Sequence, residues 1–393
     1  MRATCAIFTL VFSLYAGVFY GQCGEPETDL LVENNDDLAE LVGCDSILGN
    51  LIISGAMISY LDDLSDLEYI QGDLIVESCF ALLHIDGLSN LEHIGGNLEF
   101  NNNFTLWNLE GLESLSFLGG NLRIFGNWTL IDLNGLENLE TIPGDFVLQD
   151  NNVMETLEGI QNLTQINGDF FVDEDNIILD DLSATHALVQ IGGDLELKLG
   201  QLTTINGFSN LEEISGSLIL DDLEILANVD GFSSLSTVGD QVVIQNNNTL
   251  VNIDGLSDLL NVGGDVIIQN NQTLFLCCGI YPLLQNGTVG GVVNLSNNAD
   301  NCSVIETILE DCVESLPNLP FEGVQITQGD GYIQLISPIA FDALRLFDQT
   351  GRLVYQLFNC QAGSTRIHHP GGIIYLSLEK DGMTDQRKLI QIN

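Results

Sequence analysis

Three kinds of side chain in this sequence have the type and spacing to do chemistry: clustered carboxylates, cysteines and neighbouring aromatic rings. Asp173-Glu174-Asp175 sets three carboxylates in a row. Hard cations favour such oxygen donors, so this run is the candidate metal loop, with Ca2+ as its ion and no other cofactor expected. Carboxylate pairs could also hydrolyse a glycosidic bond, but one of them would need an apolar niche that raises its pKa. A lyase acting on an anionic sugar needs a base and cations. Between residues 22 and 312 the bases are His84, His93 and His186, and the only cations are Arg123 and Lys198. The sequence holds no nucleophile elbow, zinc-binding helix or phosphate loop. The expectation is therefore a protein that is not an enzyme, with polysaccharide degradation as a rival.

The aromatic set is more pointed. Phe104 and Trp128 lie 24 residues apart, with Trp107, Arg123 and Phe125 beside them and Val147 and Phe171 further on. Stacked rings with a few hydrogen-bonding neighbours suit a sugar ring or a peptide side chain, and these seven residues are the candidate ligand-binding set.

That spacing of 24 belongs to the whole chain. A Gly, a polar residue and then alternating apolar residues recur, as in Gly96-Asn-Leu-Glu-Phe, Gly120-Asn-Leu-Arg-Ile and Gly264-Asp-Val-Ile-Ile. The first apolar position gives the column Leu51, Leu74, Leu98, Leu122, Phe146, Phe170, Leu195, Leu218, Val242, Val266, Val293, in steps of 23 to 27 residues. A fixed period of this size marks a solenoid, because each unit is too small to bury its own apolar side. Apolar alternation bounded by Gly, Asn and Asp reads as short strands with turns, and no repeat carries a long helical run. The predicted fold is all-β: a right-handed parallel β-solenoid of about eleven coils with three strands per coil, followed by a small Ig-like β-sandwich. Between the buried positions, Ile52, Ile75, Glu99, Arg123, Val147, Phe171, Glu196, Ile219, Val243 and Ile267 should point outward.

Leu139 to Asn151, reading Leu-x-x-Ile-x-Gly-x-Leu-x-Ile-x-x-Asn with some variation, and Gly135-Leu-x-x-Leu139 resemble the receptor L domain family. The resemblance spans about residues 23 to 312 and implies a leucine-rich β-helical ectodomain module. A leucine-rich-repeat horseshoe is the alternative architecture. Asn103, Asn127, Asn151, Asn247 and Asn271 share one turn position, where Asn should take left-handed turns and bond along the stack. Thr two residues later, in four copies, should open the next strand. The sequons this creates are by-products of the repeat rather than glycosylation sites.

Residues 1–21 read as a signal peptide, and no later segment approaches 18 consecutive apolar residues, so no transmembrane span is expected. Against 9 basic residues stand 56 acidic ones. Such a field repels phosphate backbones, excludes nucleic acid as a partner and suits the cell exterior. Of the cysteines after the signal, Cys23 and Cys44 precede the first coil, and Cys277, Cys278, Cys302 and Cys312 cluster at the last ones. Solenoid ends expose their core, so covalent caps belong there. The expected pairs are Cys23 with Cys44, and the last four across adjacent coils rather than Cys277 with Cys278. Cys79 and Cys360 are left over.

The repeat register is lost at Val313, and Pro317 and Pro320 mark a linker over residues 313–322. In residues 323–393, Ala343 to Tyr355 reads as strand, turn, strand, and Gly372 to Ile392 as a terminal hairpin. These hairpins, with Asp-x-x-Gly-Arg-Leu-Val and Gly-Ile-Ile-Tyr, resemble the type A sorting domain of the type IX secretion system. That resemblance implies export across an outer membrane with the secretion machinery as partner. The reading that results is a secreted, surface-displayed binding or adhesion module for a glycan or protein ligand. A structural surface or matrix protein is the alternative.

Overall fold

The computed structural model describes residues 21–312 and, after them, seven strands between residues 325 and 392. Residues 1–20 of the expected signal and the linker 313–322 lie outside the described residues. From residue 21 to 312 the chain forms parallel strands in stacked sheets. The longest sheet has twelve strands, running in chain order from Asp29–Val32 to Val293–Ser296. That is one strand more than the predicted column, because Asp29–Val32 pairs with Asn50–Ser54 ahead of the first Gly phrase. The register Leu98↔Leu122↔Phe146 keeps each apolar column in line, and its members from Leu51 to Val266 are fully buried.

Two-residue strands precede the long ones and form a five-stranded sheet that ends at Phe117–Leu118 and a seven-stranded sheet that starts at Thr141–Ile142. The break falls at Pro143. Gly95, Gly119 and Asn167, at the equivalent position in other coils, donate their N–H to the carbonyls of Ile70, Ile94 and Ile142. Proline has no N–H to give, so the ladder stops there.

The third side of the coil corrects the expectation of three strands. Asp86–Leu88, Glu110–Leu112, Asp230–Phe232 and Asp254–Leu256 are 3-10 turns, and isolated bridges such as Thr204↔Asn228 join the later coils. The cause is a three-residue apolar spacing. Ile85, Leu88, Leu91 and Ile94 are all fully buried; a 3-10 turn puts every third residue on one side, whereas a strand would turn alternate members outward. Each coil is thus two strands and a turn. The Gly of the Gly-Leu phrase fits this close stacking, since a Cβ on Gly111 would meet the Ile85 carbonyl one coil below.

Two side-chain ladders hold the coils in register. In the first, the polar residue after Gly accepts the backbone N–H of its counterpart one coil on: Asp73 from Asn97, Asn97 from Asn121, Asn121 from Asp145. A Cβ on Gly96 would collide with the Asp73 carboxylate, which is why glycine recurs before it. The second ladder is buried. Asn127 Nδ2 donates to the Phe100 carbonyl (2.8 Å), and its Oδ1 accepts the Asn103 N–H (3.1 Å). Asn103, Asn151, Asn247 and Asn271 bond in the same way. Such bonds satisfy backbone groups that a corner would otherwise leave unpaired in the core.

The left-handed residue is the one before each ladder asparagine, with φ of 58° at Asn102, 69° at Gly126 and 53° at Asp150. The ladder position itself serves the stacking. Thr105 and Thr129 do not open strands either; they sit in the corner turn and donate to the Leu82 and Leu106 carbonyls, each at 2.8 Å. Asn103, Asn127, Asn247 and Asn271 are wholly buried with Nδ2 committed, which leaves their sequons no reactive nitrogen in the folded chain.

Both ends of the stack are closed. The helix Asn35–Ala39 starts from a capping box between Asn34 and Asp37 and sinks Leu38 onto the first coil. Cys23 is bonded to Cys44, Cys277 to Cys302 and Cys278 to Cys312. Cys79 is free and buried at the asparagine-ladder position, its N–H on Asn103 Oδ1 and its thiol against the Ile53 carbonyl. The side chain of Cys360 lies outside the described residues. The seven C-terminal strands are antiparallel. Gln325–Gly329, Tyr332–Ser337 and Gly363–His368 form one sheet; Leu353–Cys360, Phe341–Asp348, Gly372–Lys380 and Met383–Ile392 form the other. Phe341–Asp348 pairs with Leu353–Cys360, and Gly372–Lys380 with Met383–Ile392, so the strands of both units stand where the sequence places them.

Candidate functional site

The long sheet turns its alternate residues outward, and Arg123, Val147 and Phe171 stand side by side there in strict register. Phe125 follows on the same face at the end of its strand. Arg123 lies 3.4 Å from the Asp145 carboxylate. Lys198, absent from the sequence-derived set, sits 5.3 Å from the centre of the Phe171 ring and 2.8 Å from Glu196. The Glu196 bond holds its ammonium pKa up against the small effect of burial. Both cations of residues 21–312 therefore occupy this face, each already beside a carboxylate.

Past the end of the long strand the chain rounds a corner, and the corner carries rings. Phe104 stacks on Trp128 at 4.4 Å and on Phe80 at 5.1 Å. The Trp128 indole N–H donates to Asp150 (3.1 Å), which fixes the ring plane. Three residues on, beyond a buried Leu, the chain turns outward again at Leu83, Trp107 and Ile131, where the Trp107 N–H meets the Leu83 carbonyl. Trp107 is 52% exposed and Trp128 45%. Phe80, Leu83 and Ile131 escaped the sequence-derived set although they occupy the same two repeat columns. Extending each column by one coil would have found them.

A second stack lies at the other edge of the same three long strands. Tyr69, His93 and Phe117, the outward residues of successive two-residue strands, stack at 4.4 and 4.1 Å. Burial between the rings pushes the His93 pKa down. His93 is thus a stacked surface residue rather than a base aimed into a cleft, and His84 lies 3.2 Å from Asp86. The column before the buried Ile was the available signal for this stack.

The candidate metal loop is arranged otherwise. Asp173 Oδ1 accepts from the Asp150 and Asp175 backbones and from Asn176 Nδ2 at 3.3, 3.2 and 2.8 Å. Its pKa is raised by burial, opposed by the bond from Asp150. Its oxygen serves the corner as a structural acceptor. Among the described residues no group of three or more His, Cys, Asp or Glu could hold a metal ion, and no helix is long and apolar enough to cross a membrane.

A family model for the receptor L domain matches residues 43–117. No curated protein matches the chain. The matched segment holds the Tyr69–His93–Phe117 stack, Phe80, Phe104 and Trp107. It supports a receptor L domain-like repeat, and with it an extracellular, ligand-binding and non-catalytic kind of module.

Proposed function

We propose that this protein is an exported binding or adhesion module, displayed at the outer cell surface, that engages a glycan or protein ligand through the corner formed by Phe80, Phe104, Trp107 and Trp128. The observation that carries the reading is the outward stack of Phe80, Phe104 and Trp128, whose rings fill no part of the core. Exposed aromatic clusters of this kind mark recognition surfaces. The reading takes the solenoid as right-handed, the hand of parallel crossover connections, and the two C-terminal sheets as an Ig-like sandwich. In it, residues 323–393 are the address label read by a type IX secretion machinery, and residues 1–21 are the export signal.

Two experiments test the parts separately. An array of glycans and peptides probed with the purified protein and with Trp107→Ala/Trp128→Ala should show ligands held by the first and lost by the second; equal binding by both moves the site elsewhere. Deleting residues 323–393 should leave the solenoid folded and stop it short of the surface. Normal display of the shortened chain would remove the sorting role.

A further inference from the structure

We infer that the aromatic corner docks a basic, apolar segment of a partner polypeptide; this rests on the binding role proposed above and names its ligand class. Phe80 with Leu83, Phe104 with Trp107 and Trp128 with Ile131 form three apolar pairs in successive coils. The two columns change character at the next coils: the same positions are Ala56 and Ser59 one coil below, with exposed Met57 and Tyr60 beside them, and Asn152 and Glu155 one coil above, with Val153 beside them. The three pairs span about 10 Å across three strands, enough for a short segment of chain.

The rim decides the chemistry. Asp150 holds the Trp128 indole, Glu155 takes the place of Ile131 one coil above, Glu77 ends the long strand before Phe80, Asp86 and Glu110 follow Leu83 and Trp107 by three residues, and Arg123, the cation on the neighbouring sheet face, stands beside Asp145. Ionised carboxylates only accept hydrogen bonds. The Trp128 N–H is already given to Asp150. A sugar hydroxyl both donates and accepts, whereas guanidinium and ammonium groups only donate. Arg and Lys also lay an apolar stem along rings and place the cation over them or at their rim. A chain of net charge −47 adds long-range attraction for such a partner.

Trp107 and Trp128 are the only two tryptophans in the protein, so indole emission reports this corner alone. The test titrates the full protein with an alternating Arg-Leu dodecapeptide, its Glu-Leu and Arg-Ser counterparts, and cellohexaose. The Arg-Leu peptide should shift the emission at concentrations about tenfold below those of Arg-Ser, and the other two should leave it unchanged. Asp86→Asn/Glu110→Gln/Glu155→Gln should weaken the response about tenfold, while Glu212→Gln/Glu213→Gln, on a distant sheet, should not. A response to cellohexaose alone overturns the basic partner but keeps the corner as a binding site. Peptide binding seen by calorimetry without any change in emission overturns the corner itself. Equal weakening by both sets of substitutions reduces the effect to general charge attraction, and no response to any probe also refutes the inference.

Discussion

Stacked aromatic rings occur on both sides of the solenoid wall, and the two sets are built differently. Inside, Phe146, Phe170, Phe208 and Phe232 follow one another at 4.8, 5.4 and 5.5 Å, every ring fully buried. Outside, Phe80, Phe104 and Trp128 keep similar spacings, the two end rings exposed and Phe104 half-buried between them. The inner rings meet at interplanar angles from 19° to 82°, with Phe170 to Phe208 T-shaped, whereas both outer pairs lie nearly flat, at 2° and 20°. The coil spacing alone explains flat stacking, because equivalent residues repeat at the inter-strand distance. Exposure is what separates the two. An apolar area that the fold leaves in water stabilises nothing unless a partner covers it.

Substitutions can break that comparison, starting inside. Phe170→Ala should cost about 3–5 kcal/mol, read as a drop in the urea midpoint at constant slope, since the coils cannot collapse around the lost ring. A loss under about 1 kcal/mol would mean that the inner stack is as dispensable as the outer one. Asn127→Ala should come next, at about 2–3 kcal/mol. It strands the Phe100 carbonyl and the Asn103 N–H in the core. The equivalent position is Leu199 and Leu223 in the middle coils, so Asn127→Leu should recover part of that loss by filling the space.

A smaller effect belongs to His93. Its folded pKa lies below the ordinary 6.5, so below that pH the unfolded chain takes up the proton more readily than the folded one. Stability present above about pH 6.5 should fall as acid carries the solution down through the window to the folded pKa. His93→Phe, which keeps a ring between Tyr69 and Phe117, should flatten that part of the profile. An unchanged slope between pH 7.5 and 5 would assign the acid sensitivity to other groups.

The repeat was legible because its period is carried by strongly typed residues: the buried Leu and Ile columns, the Gly before each polar residue, the ladder asparagines. The cysteines at the two ends were legible for the same reason, since only ends need caps. The third side of the coil was misread because Ile85, Leu88, Leu91 and Ile94 look apolar in either periodicity, and only their spacing of three separates a 3-10 turn from a strand. The sheet break at Pro143 needed the hydrogen-bond partner of that position, which no single residue announces. At the site, the two tryptophans stood out as the rarest ring type and drew in Phe104 at the position equivalent to Trp128, but Phe80, Leu83 and Ile131 are common apolar residues whose exposure depends on which way a turn faces. Tyr69, His93 and Phe117 differ in chemistry and so did not read as one column.

The central claim is that the outer rings serve contact rather than folding, and Trp107→Ala/Trp128→Ala tests it most directly when stability and binding are measured on the same sample. Urea unfolding, followed by far-ultraviolet circular dichroism, should place the double variant within about 1 kcal/mol of the parent, while calorimetric binding of the Arg-Leu dodecapeptide is lost. Unfolding several kcal/mol weaker, as for a core ring, or peptide binding equal to the parent's, would contradict the account.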